Sequence, residues 1–135
     1  MTELPYRLEM TSSNDAITEA ADWAEACAQE FGLAPDRVFA VRLCVEEAVS
    51  NVVHHGYGRN PGTIRLEFGE RISGAYIAIA DNAWAFDPVA AEDPGDEDNI
   101  LDAAIGGRGI RLMRTFSSAM AYVRDGDENR LTLEF

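Results

Sequence analysis

A chain of 135 residues suits one domain, 1–135, with a single sizeable core. Its net charge of −13 argues against general binding to nucleic-acid backbones, which requires a basic surface, and suits a basic macromolecular partner instead. All eleven basic residues are arginine, so the chain has no P-loop lysine, no lysine of the eukaryotic-type kinase fold and no lysine for Schiff-base chemistry; a nucleotide site here needs another architecture.

In chain order, "LPYRLEM" alternates as a first strand and "SSN" supplies helix caps. "DAITEAADWAEACAQEFG" reads as a helix closed by Gly32. Pro35 opens a second helix, with Asp36 in its first turn, and the pattern predicts that it runs to about His55 before "GYGRNPG" breaks it. "TIRLEFGE" and "GAYIAIAD" are two strands joined at Ser73-Gly74. Residues 87–102 hold seven acids, two prolines and no base, the pattern of a long loop: either simply solvated, or a closing lid with its acids turned outward. "GGRGIRLMRTF" starts a third helix, and "AMAYVRD" and "NRLTLEF" close the chain as a hairpin. The order β-α-α-β-β-α-β-β predicts an α+β fold: one mixed or mostly antiparallel sheet with helices on one face. Cys27 and Cys44 fall in helices without metal-ligand spacing and read as small core residues. No apolar run approaches a membrane span and no secretory signal is visible, which makes the cytoplasm the expected location.

Chemistry concentrates in three stretches. On the second helix, Val38, Val41, Val45, Ala48, Val49 and Val52 form the face expected to meet the sheet. Glu47, Asn51 and His55 run beside it, drifting about 40° per step of four residues. Asn is a poor helix-interior residue because its side chain competes for backbone hydrogen bonds, so Asn51 asks for a reason other than helix stability. An acid one turn from an amide suits activation of a hydroxyl beside an oxygen-liganded Mg²⁺. In "AYIAIADNAWAFDP", Asp81 ends an apolar strand beside small residues; its carboxylate could accept from an exocyclic amine such as that of adenine, or serve a turn-forming Asp-Asn. In "GGRGI", glycines entering a helix offer backbone N–H groups and a dipole to phosphate, with Arg108 as a fixed charge, or simply a hinge.

Taken together and in order, "EEAVSN", "HGY", "DNAWAFDP" and "GGRGI" resemble the boxes of the GHKL (histidine-kinase-like, Bergerat-fold) ATPases, and more narrowly the small anti-sigma factor serine/threonine kinases of bacterial partner switching. The opening "LPYRLEMTSSNDA" and closing "AYVRDGDENRLTLEF" are also similar, so the resemblance covers nearly the whole chain. It implies a two-layer α/β sandwich with ATP between helices and sheet. Glu47 would be the general base for a partner's hydroxyl, Asn51 the Mg²⁺ ligand and Asp81 the adenine contact. Ala83 and Phe86 would flank the base, and Gly107, Arg108 and Gly109 would wrap the phosphates. The implied protein is a cytoplasmic homodimer that binds a sigma factor and phosphorylates a STAS-type anti-anti-sigma partner, with no direct contact to nucleic acid or membrane. His55 either packs the helix end or meets ligand.

The chain departs from this pattern at Ala83, where the family normally has Gly, and at "AAI" (103–105), where a basic residue usually precedes the double glycine. These departures define an alternative: a partner-binding module on the same fold with little or no ATP binding. A metal hydrolase built on His54 and His55 is disfavoured, because adjacent helical residues point about 100° apart.

Overall fold

A computed structural model describes residues 3–57, 60–89 and 107–135, with backbone alone at 107 and 108. Most of the expected acidic lid, and the Arg108 side chain, lie outside the described residues. The elements are β1 (Tyr6–Thr11), α1 (Asn14–Phe31), α2 (Pro35–Asn51), a π-helical turn (Val52–Gly56), β2 (Thr63–Arg71), β3 (Gly74–Asp81), α3 (Gly107–Phe116), β4 (Ala119–Asp125) and β5 (Glu128–Glu134). The strands form one sheet in the order β1-β2-β3-β5-β4, and every pairing is antiparallel.

Local chemistry sets the helix ends. Ser13 caps α1, its hydroxyl accepting from the Ala16 N–H, and Gly32 ends it in the left-handed region at φ 95°. Pro35 starts α2, where its missing N–H costs nothing. The α-helix then stops at Asn51, short of the His55 expected from the pattern. The chain widens into a π turn whose last bond runs from the Tyr57 N–H to the Val52 carbonyl at 3.1 Å. Tyr57 anchors this segment: its hydroxyl donates to the Thr63 carbonyl and accepts from the Asn82 N–H, both at 2.7 Å. The end of α2 is thereby tied to the start of β2 and to the residue after β3.

Alternation in the strands turns one face inward. Ile64, Leu66 and Phe68 of β2, Ile77 and Ile79 of β3, and Leu131 and Leu133 of β5 are all buried. The three helices cover this face: α1 packs over β1 and β2, α2 against β3, and α3 beside β4, with α2 flanked by both other helices. Val38, Val41, Val45, Ala48 and Val49 are buried as expected, as are Cys27 and Cys44. Val52 is only half-buried; it packs against the core and also lines a cavity. Among the described residues no helix is long and apolar enough to cross a membrane.

Candidate nucleotide site

Asp81 is the last residue of β3, in register with Ile64 on one side and Asn129 on the other. Strand alternation therefore turns it toward the helices with Ile77 and Ile79, and it is 5% exposed. Its Oδ1 accepts from the Ala83 N–H at 2.9 Å and from Asn129 Nδ2 at 2.8 Å. The turn-forming and pocket-facing readings of Asp81 thus coexist in one side chain, because the turn occupies a single carboxylate oxygen.

Between α2 and the sheet lies a cavity of about 220 Å³. Ala48, Asn51, Val52, His55 and Gly56 form its helical wall; Ile79, Asp81, Asn129 and Leu131 form the sheet wall. Ala83 to Phe86, Pro88, Met113 and Tyr122 complete the lining. An apolar slot with a few polar groups at its ends suits a flat heteroaromatic base. Its volume falls below the roughly 300–1,000 Å³ that encloses a whole drug-sized ligand. Phe86 stands half-exposed at the mouth, whereas Trp84 is 84% exposed and covers little.

Asn51 is half-buried and lines this cavity, and its side chain makes no hydrogen bond to another described residue. The described residues contain no cluster of three or more His, Cys, Asp or Glu side chains able to hold a metal ion. One amide oxygen beside a base pocket fits a Mg²⁺ that takes most of its ligands from phosphate and water, the usual habit of that ion.

Glu47 sits one turn before Asn51, outside the cavity lining and against the start of α3. A Cβ built on Gly109 would lie 2.5 Å from Glu47 Oε2. The glycine expected to wrap phosphate is thus also the one that leaves room for the carboxylate. Burial, and secondarily the charge of Glu46, push the Glu47 carboxyl above its ordinary range, which makes it a better proton acceptor than an exposed glutamate. Gly107 opens α3, and Arg114 in its last turn donates to the Pro88 and Val89 carbonyls at 3.3 and 2.9 Å, joining the helix to the segment after Phe86.

The two histidines separate. His55 lines the cavity, while His54 turns away and lies within hydrogen-bond distance of Ser50 and Asn14. Ala83 has an ordinary backbone, since no described non-glycine residue has positive φ. Its methyl is buried beside Gly56, where an added Cβ would come within 2.9 Å of it. Sequence reading missed the roles of Asn129, Tyr122 and Tyr57. Asn129 carried a signal: an amide, poorly suited to strands, in the same phase as the inward-facing Leu131 and Leu133.

Residues 10–135 match the histidine kinase-like ATPase domain, and the chain belongs to that family. It is 35% identical over 127 residues to the serine/threonine-protein kinase BtrW of Bordetella bronchiseptica, covering 93% of this chain and 89% of that protein. It is 33% identical over 60 residues to the serine-protein kinases RsbW of Bacillus thuringiensis and Bacillus anthracis, covering 44% of this chain and 38% of each of those proteins.

Proposed function

We propose that this chain is an ATP-dependent protein serine/threonine kinase that acts as an anti-sigma factor in the cytoplasm. It would bind a sigma factor and phosphorylate a STAS-type anti-anti-sigma partner, as a single domain that pairs into a homodimer. The observation that carries the nucleotide part is a cavity with Asn51 on its helical wall and Asp81 on its sheet wall. The names of the relatives support the kinase part, because BtrW aligns over nearly the whole of both chains.

In this reading Asp81 accepts from the adenine amine, with Ala83 and Phe86 beside the base. Asn51 would hold Mg²⁺ with its amide oxygen, and the start of α3 at Gly107, Arg108 and Gly109 would wrap the phosphates. Mg·ATP supplies the transferable phosphoryl group and neutralises its charge when bound. Glu47 takes the proton from the partner's hydroxyl, a task for which its raised proton affinity suits it.

The departure at Ala83 gives little support to a non-catalytic module. Its methyl is accommodated beside Gly56 without backbone strain. The test is phosphoryl transfer to a co-purified STAS partner, run beside calorimetry with Mg·ATP. Glu47→Gln is expected to bind nucleotide and transfer nothing, while Asn51→Ala weakens binding. Transfer undiminished in Glu47→Gln would remove Glu47 from the chemistry. Absence of nucleotide binding in the parent chain would leave the binding-module reading.

A further inference from the structure

The nucleotide reading uses Asp81 but does not say what holds its carboxylate. Asn129 on β5 is 6% exposed, and its side chain contacts four groups. The two hydrogens of Nδ2 serve three acceptors within hydrogen-bond distance: Asp81 Oδ1 at 2.8 Å, the Trp84 carbonyl at 3.0 Å and the Ala83 carbonyl at 3.2 Å. Oδ1 accepts from the Tyr122 hydroxyl at 2.5 Å. The chemistry fixes which way the amide points. Reversed, its oxygen would meet three oxygen acceptors and its NH₂ would face a hydroxyl. Arg124 adds a second donor to the Ala83 carbonyl at 2.8 Å.

The consequence falls on Asp81. Oδ1 is occupied by the Ala83 and Asn129 donors, while Oδ2 makes no hydrogen bond among the described residues, and Asp81 lines the cavity. We propose that Asn129, oriented by Tyr122, is the positioning residue that holds the Asp81 carboxylate with one oxygen turned into the cavity, and so sets the preference for a base presenting an N–H donor. This rests on the nucleotide reading above and deepens it. With Asn129 in place, the free oxygen faces a donor such as an exocyclic amine and repels a carbonyl at the same position. Without Asn129, the carboxylate loses a donor and can rotate, and the carbonyls of Ala83 and Trp84 lose their shared partner, so the mouth of the slot loosens as well.

The test compares adenosine and inosine nucleotides, which differ at the group facing Asp81 and share ribose and phosphates. Asn129→Ala should weaken adenosine-nucleotide binding by about 10- to 100-fold. It should affect the inosine nucleotide much less, so the affinity ratio collapses. Tyr122→Phe keeps the ring that lines the cavity, removes only the hydroxyl, and should lower the ratio in the same direction by less. A merely structural role would weaken both nucleotides together and preserve the ratio. A second readout needs no nucleotide: the Asn129 side-chain NH₂ should give slowly exchanging, shifted signals in ¹⁵N spectra, and Asp81→Ala should move them and speed exchange while the Ala83 and Trp84 carbonyls still hold the amide. A parent-like ratio in both variants, or a freely exchanging amide in the parent, would overturn the positioning role alone. Failure of the parent chain to bind either nucleotide, with the amide protected, would overturn the nucleotide reading and the ligand assigned here with it.

Discussion

At the residue scale, the absent methyl of Gly109 makes room for the Glu47 carboxylate, and the proposed kinase activity depends on that carboxylate's place. In Gly109→Ala the new Cβ would meet Glu47 Oε2, the far end of a flexible side chain that can swing aside. The fold should therefore lose less stability than it would against a rigid backbone neighbour. The displaced carboxylate should lower phosphoryl transfer by roughly 100-fold, the effect of a misplacement of about 1 Å. Parallel melting and transfer assays would check both halves, and unchanged transfer would sever Gly109 from Glu47. Gly56 presents the opposite case, because its missing Cβ faces the packed Ala83 methyl at 2.9 Å. Gly56→Ala should cost about 1–3 kcal/mol by overpacking. Adding Ala83→Gly should recover most of it, and urea titrations of the double-mutant cycle would expose additive costs if the two positions do not touch.

At the element scale, α1 and α2 are joined by a buried seam and a charged rim. Cys27 and Cys44 lie in the seam, and burial pushes both thiols up to about 12, reinforced at Cys44 by the charge of Glu47. The thiolate is the reactive form, so neither cysteine should react with a thiol reagent in the native protein at pH 8. Labelling should follow global unfolding, and rapid labelling without denaturant would mean that the helices part easily. On the rim, Arg42 of α2 reaches Asp22 at 2.8 Å and Glu25 at 2.6 Å on α1, and Glu46 on its own helix at 3.3 Å. The acids are 38–64% exposed, so solvent screening makes this network secondary to the seam.

At the scale of the whole molecule, the sheet has two faces of different chemistry. The inner face carries Phe68, fully buried, with Phe31 edge-on at 5.8 Å and Tyr6 stacked at 6.2 Å. The outer face carries a polar array around Glu67, which accepts from Tyr76 at 2.7 Å and from Arg7 and Arg130, each at 3.2 Å. Burial alone would raise the Glu67 carboxyl, but the Tyr76 and Arg7 hydrogen bonds and the charges of Arg130 and Arg7 outweigh it and leave it below its ordinary value. A carboxylate held low contributes stability that is complete above its unfolded value and lost as pH falls through its folded value. Glu67→Gln should therefore lower stability at neutral pH and flatten the acid limb of the denaturation curve below about pH 4.5. An acid limb identical to that of the parent chain would show that the array contributes nothing net.

The element order, the inward valines of α2 and the polar stripe beside them were legible in the sequence, because helical and strand periodicities are local and survive without knowledge of partners. The in-order boxes likewise singled out Asn51 and Asp81, and both line one cavity. Tertiary structure decided what no local pattern encodes. It placed Asn51 and Asp81 on opposite walls of one slot, set Gly109 against Glu47 and Ala83 against Gly56, and ended the α-helix at Asn51, where Tyr57 is held by β2 and the residue after β3. It also gathered Tyr122, Asn129 and Asp81 from three adjacent strands into one hydrogen-bonded row. The physical reason is range. Propensity and periodicity act over a few residues, whereas a contact between Asp81 and Asn129 exists only once β3 and β5 have paired in register.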